Sequence, residues 1–166
     1  MTGVQTCALP IYNIDPLQIG RIQAMVPDVS GLIPSSWAMP CVPVAGPNMG
    51  VFTVPPIGAG VWIEFERGDP DYPIWVGGYW GSAAETPKLS NMVLPGVAGI
   101  TLQTTLKNGI VISDMPGPTG GILIQTTLGA MISVSDVGII ISNGKGAVIN
   151  MTGPTTDVNL GALTVI

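Results

Sequence analysis

The stretch PIGAGVWIEFERGDPDYPIWVGGYW, residues 56–80, decides the fold. Val61, Ile63 and Phe65 alternate with Trp62, Glu64 and Glu66, a period of two that predicts a strand with one apolar and one mixed face. Residues 67–73 then gather Gly68, Asp69, Pro70, Asp71 and Pro73. Glycine supplies positive φ, aspartate closes Asx-turns and proline fixes φ, so this is a rigid hairpin connection. Residues 74–80 return as a second apolar strand, in which Gly77 and Gly78 predict a bulge or a corner where a sheet curls into a barrel.

Working outward, residues 19–26 (IGRIQAMV) read as a strand ended by Pro27 and Asp28. Residues 37–44 read as a proline-interrupted strand suited to an edge, because proline donates nothing to a ladder. With a further strand at 51–54, the count reaches five, that of an OB-type barrel, over residues 12–82. Residues 83–104 mix Pro87, Pro95, Gly96 and Gly99 with short apolar stretches and read as a linker.

In residues 105–166 the pattern changes to short strands introduced by Gly109, Gly121, Gly129, Gly138 and Gly146, with a weaker sixth at the end. The strand starts Ile122, Ala130, Ile139 and Ala147 lie 8, 9 and 8 residues apart, a β-helix-like period. One such rung cannot bury its own apolar face and must stack on neighbours. A single-chain sandwich or meander is the competing reading.

Composition narrows the function. The net charge is −5, and the cations are Arg21, Arg67, Lys88, Lys107 and Lys145. Five scattered cations do not make the basic stripe that displaces phosphate counterions, which argues against a nucleic-acid partner. Charged residues make up 9% of the chain, yet glycine and proline break every apolar run before the ~18 residues of a membrane-spanning helix. The 23 glycines and 16 prolines sit between strands and not in low-complexity tracts, which points to all-β structure.

Catalytic groups are scarce. There is no histidine, which removes the commonest general base and metal ligand together. Asp69 and Asp71 are explained by the turn, and Glu64 and Glu66 by a solvated strand face, so neither pair reads as a glycosidase dyad. Asp114 and Asp136 lie near glycines but without the nonapeptide calcium signature. We therefore expect no catalytic, cofactor or metal site and no enzymatic activity.

Residues 1–11 (MTGVQTCALPI) stand apart, with no periodicity or turn logic, and are too short and polar for a secretory signal. They resemble the conceptual translation of a sequencing-library adapter and are expected to lie outside the fold, taking the place of part of the first barrel strand. Cys7 then carries no redox information, and Cys41 alone builds no disulfide or zinc framework.

The hairpin carries a resemblance. Gly58, Gly60, Val61, Phe65, Gly68, Asp69, Pro70, Asp71, Pro73 and Gly77, together with Pro56 and Ile74, resemble the OB-barrel motif of the central spikes of contractile injection machines. That family includes phage baseplate assembly protein V and the valine-glycine repeat spikes of type VI secretion. The entry residues Asn13, Ile14, Asp15, Pro16, Gly20, Arg21 and Ile22 match as well. The resemblance implies an all-β chain: a five-stranded OB-type barrel followed by a short triple-stranded, intertwined β-helix in a homotrimer. It further implies a structural, envelope-puncturing role in a virion or particle baseplate, assembled in the cytoplasm. Baseplate hub and tail-tube proteins and the target cell envelope are the implied partners. At residues 153–166 only Asp157 offers a carboxylate, and the chain ends on an apolar strand, which implies a separate PAAR-type tip protein. The alternatives are an OB-type nucleic-acid or carbohydrate binding module and an envelope-degrading enzyme.

Overall fold

The computed structural model describes residues 6–165, which divide into one unit ending at Glu85 and another beginning at Thr86. Among them no helix is long and apolar enough to cross a membrane.

In the first unit the strands are β1 (Thr6–Tyr12), β2 (Gln23–Met25), β3 (Met39–Pro40), β4 (Ala45–Gly46), β5 (Met49–Gly50), β6 (Gly60–Phe65) and β7 (Pro73–Tyr79). Five of them form one sheet in the order β2-β1-β6-β7-β3, while β4 and β5 make a small separate hairpin. Only β3 and β7 run parallel. The sheet closes because Ile22, just before β2, bridges Ala38, just before β3, by reciprocal backbone bonds of 2.8 and 3.2 Å. Strands β1, β2, β3, β7 and β6 thus follow one another around a five-stranded barrel of OB type.

The barrel interior follows from the alternation in β6. Val61 and Ile63 are fully buried and Phe65 nearly so, in a cluster with Ala8, Ile22, Ala24, Val26, Ala38 and Trp75. Each fully buried Val or Ile of this set contributes about 1.5–3 kcal/mol relative to exposure. The Trp75 indole N–H, buried with them, donates to the Gly20 carbonyl at 3.0 Å, so the core leaves that polar atom satisfied.

The structure departs from the sequence reading at four places in this unit. Residues 6–11, expected outside the fold, belong to β1, which pairs with both β2 and β6 and buries Thr6, Ala8 and Pro10. Ladder pairing is made by the main chain, so a stretch with little side-chain pattern fills a strand slot. Pro10 is tolerated because the β1–β2 register shifts between Pro10 and Tyr12. Residues 1–5 lie outside the described residues. The strand read at 19–26 shrinks to β2, because Gln18 (φ 54°) and Gly20 (φ 84°) curl the preceding chain into a loop. Of residues 37–44 only Met39 and Pro40 pair, with β7. Residues 51–54 form no strand, and the fifth barrel position is held by β1.

The second unit is one antiparallel meander of eight strands: β8 (Gly99–Gln103), β9 (Gly109–Ser113), β10 (Gly121–Gln125), β11 (Met131–Val134), β12 (Ile139–Ser142), β13 (Val148–Thr152), β14 (Thr155–Val158) and β15 (Leu163–Val165). Each strand pairs with its neighbours in sequence. Residues 83–104, read as linker, therefore already contain β8, whose Ile100 and Leu102 pair with Ile112 and Ile110. The weak sixth strand read at the end resolves into β14 and β15.

Candidate assembly surface

Register determines what the meander presents. One face carries two rows of side chains that run across every strand. The first row is Ile100, Ile112, Ile122, Val134, Ile139, Met151, Thr156 and Val165; the second is Leu102, Ile110, Ile124, Ile132, Ile141, Ile149, Val158 and Leu163. Only Thr156 interrupts the aliphatic surface. Opposite-facing positions are mixed, with Thr101, Gln103, Gln125, Ser133, Ser142, Asn150 and Asp157 among Val111, Leu123 and Ile140.

The chain covers the β8–β9 end of its mixed face and leaves the apolar face open. The single 3-10 turn Lys88–Met92 places the buried Leu89 beside β9, where a Cβ on Gly109 would lie 2.6 Å from the Leu89 Cδ1. The Leu89 N–H donates to Gln103 Oε1 at 2.8 Å, and Val111 and Ser113 are buried. On the other side Ile110, Ile112, Ile122, Ile124, Ile132, Val134 and Ile141 are each about two-fifths exposed. A contiguous apolar face of this size marks an interaction surface.

Turn chemistry keeps the strands short and close. Gly129 (φ 86°) and Gly146 (φ 104°) lie at turns and Gly121 (φ 79°) opens β10, all in the left-handed region that favours glycine. Gly138 has no such φ, but a Cβ there would run into the Met151 carbonyl oxygen. Along one edge successive turns interlock: the Thr127 N–H donates to Asn108 Oδ1 at 3.0 Å, and the Val148 N–H to Asn159 Oδ1 at 3.0 Å.

The barrel motif residues take distinct places. Val61, Phe65 and Pro73 are buried; Gly58 (φ 80°) and Gly68 (φ 79°) sit at turns; Gly60 lies where a Cβ would meet the Tyr79 ring at 2.7 Å. Asp69 Oδ1 accepts the Asp71 N–H at 3.0 Å, an Asx-turn, and the Asp71 carbonyl accepts the Ser36 hydroxyl at 2.6 Å. Pro70 is exposed between them. Gly77 faces Trp62, and the β6–β7 register slips between Trp62 and Ile63, leaving Val76 as the extra residue of a bulge. Glu66 falls in the turn and not on β6 with Glu64, so those carboxylates share no strand face.

Asp15 is the most perturbed acid. Its carboxylate forms a 2.7 Å ion pair with Arg21 and accepts the backbone N–H groups of Leu17, Ile19 and Arg21. The Arg21 guanidinium first, then these N–H groups, hold its carboxyl well below the usual carboxylate range against the opposing effect of burial. Arg21 also lies over the Trp37 ring, 5.1 Å from its centroid. Among the described residues no three His, Cys, Asp or Glu side chains cluster as a metal site.

Sequence reading missed two sites. One is the covering of the mixed face by residues 88–92, whose only signal is the isolated Leu89 after Pro87. The other is an aromatic cleft on the barrel, beside which Trp62 and Tyr79, remote in sequence, pack with centroids 4.9 Å apart and ring planes tilted by 43°. Adjacent-strand aromatics at Trp62 and Tyr79 were the available clue.

Two family models match the chain. Residues 11–80 match the type VI secretion system/phage-baseplate injector OB domain, and residues 99–164 match the phage baseplate V C-terminal trimerisation domain. No curated protein matches.

Proposed function

The chain belongs to the phage baseplate V family, and on that premise we propose that three copies join through the apolar faces of their second sheets into a spike that punctures the target envelope. A baseplate structural role and a particle location come with the family, and the trimerisation-domain match supports a homotrimer. The observation that carries the proposal is the uncovered aliphatic face of the meander.

Geometry favours three walls. Packed sheets stand about 10 Å apart, so a wall lies about 5 Å from a shared axis, and an equilateral prism of that size has sides of about 17 Å. Strands of four or five residues, as in β8 to β14, span about 14–17 Å at ~3.4 Å per residue. Each strand sends two side chains to the axis, so every level except that of β14, where Thr156 stands, holds six apolar groups. A two-sheet sandwich would place no such limit on strand length.

Closing the prism removes the remaining exposure of these side chains, roughly 1 kcal/mol each when half of a full burial is gained. A narrow prism in which three chains wind about one axis gives no single chain a separate route to unfolding, which suits it to transmit axial force. The barrel, with residues 6–11 joined to 12–82, acts as its base, and the second sheet, with β8 joined to residues 105–166, as its shaft. Hub and tail-tube proteins at the base, assembly in the cytoplasm, and a PAAR-type protein over the apolar Leu163 and Val165 at the far end complete the reading. The role is mechanical and not enzymatic.

Light scattering on the eluting protein tests this. The expected mass is three chains; a stable monomer overturns it.

A further inference from the structure

We propose that the aromatic cleft of the barrel is a binding site for a neutral oligosaccharide. The cleft encloses about 460 Å³ between Pro55 and Pro56 on one side and Tyr79, Trp80 and Glu85 on the other. That volume falls in the range of small-ligand sites. Gly60 lines it, and a Cβ there would lie 2.7 Å from the Tyr79 ring, so glycine lets that ring pack against β6. The Tyr79 ring is braced by Trp62 at 4.9 Å, and Trp80 is 63% exposed.

The chemistry selects the ligand. An exposed indole and flat proline rings offer apolar faces, which the C–H face of a pyranose matches. Glu85 stands at the rim as a fixed acceptor for hydroxyl groups: its Oε2 takes the Gly81 N–H at 2.8 Å and its Oε1 the Ser82 hydroxyl at 3.4 Å. Anionic sugars and nucleotides are disfavoured, since no cation lines the cleft and Arg21 is tied to Asp15. A proline-rich peptide would use the aromatic faces but bring few N–H or O–H donors to the rim.

The site lies on β6, β7 and the segment after them, away from the β2–β3 face that OB barrels commonly use. Its lining residues all belong to the first unit, none to the apolar face of the second sheet, so its failure would leave the spike reading intact.

Tryptophan fluorescence and calorimetry on the full chain test it, with the tetramers of N-acetylglucosamine, cellobiose-type β-glucan and maltose-type α-glucan as probes. A proline-rich decapeptide and single-stranded oligothymidine serve as counter-probes. We expect saturable binding of at least one tetramer at millimolar concentration, weakened about tenfold by Trp80→Ala and less by Glu85→Gln. Trp80 is exposed, so its replacement leaves the barrel folded, which circular dichroism verifies. No saturable binding to any of the three tetramers overturns the proposal. So does equal binding by Trp80→Ala, or binding of the peptide or oligothymidine in preference to the sugars.

Discussion

The barrel and the shaft use the same alternation to opposite ends. In β6, Val61 and Ile63 are 0% exposed, because the sheet curls until Ile22 meets Ala38 and the chain covers its own apolar face. In β10 and β11, Ile124 and Ile132 remain 44% and 41% exposed, because the meander never closes. A period of two says which face is apolar, not which chain covers it. The barrel is thus a core within one chain, and in the proposed trimer the second sheet is a third of one.

Substitutions should separate the two kinds of core. Ile124→Asp places three carboxylates around the axis of the proposed prism, a cost of several kcal/mol per chain for buried unpaired charge. Assembly should be lost while the barrel's near-ultraviolet signal persists; an intact trimer on gel filtration would break the comparison. Glycines divide the same way. Gly138→Val drives a side chain into the Met151 carbonyl oxygen and should cost about 1–3 kcal/mol per chain, whereas Gly77→Ala in the barrel meets nothing within 4 Å and should stay within about 0.5 kcal/mol. Thermal melts of the pair measure the contrast, and equal melting temperatures would show that the turn positions do not limit the shaft.

Asp15 sharpens the comparison through pH. Its folded-state pKa is depressed, chiefly by Arg21, so its contribution is complete above the unfolded carboxylate value near ~4 and fades as pH falls below it. Asp15→Asn should lower barrel stability at neutral pH, and denaturant midpoints of the two proteins should converge in acid. A gap that widens on acidification would contradict the assignment. The smallest effect is expected from exchanging residues 6–11 for an unrelated alternating sequence with small residues at positions 6, 8 and 10. We propose that this segment, adapter-like in sequence, holds its place by main-chain pairing, so the swap should cost no more than about 1 kcal/mol. Loss of folding would show that its own side chains matter.

Legibility followed locality. The β6–turn–β7 hairpin was readable because its signals, alternation, Asp69, Pro70, Gly68 and the Gly77 bulge, all lie within one short stretch. The strands of the second sheet were readable from their period. Residues 6–11 were not, since Thr6, Ala8 and Pro10 carry little apolar pattern and gain their place from partners some fifty residues away. The strand read at 51–54 failed for the converse reason: Val51, Phe52 and Val54 have strand composition, but beyond the Val51 N–H bond to the Val44 carbonyl they join no ladder. Strand β8 was hidden by Pro95, Gly96 and Gly99 around it. The aromatic cleft depends on cross-strand proximity that spacing alone does not reveal.

The central claim, that the apolar face of the second sheet is the trimer's axis, makes an inverted prediction about exposure. In one chain Ile132 is open to solvent and its neighbour Ser133 is half-buried on the other face. Spin labels attached at Ile132→Cys or Ser133→Cys, with Cys7 and Cys41 replaced by serine, report both environments by electron paramagnetic resonance. The prism predicts an immobilised, dipolar-broadened spectrum at position 132, where three labels crowd the axis, and a mobile, unbroadened one at position 133. A mobile, unbroadened label at 132 in the assembled protein would contradict it.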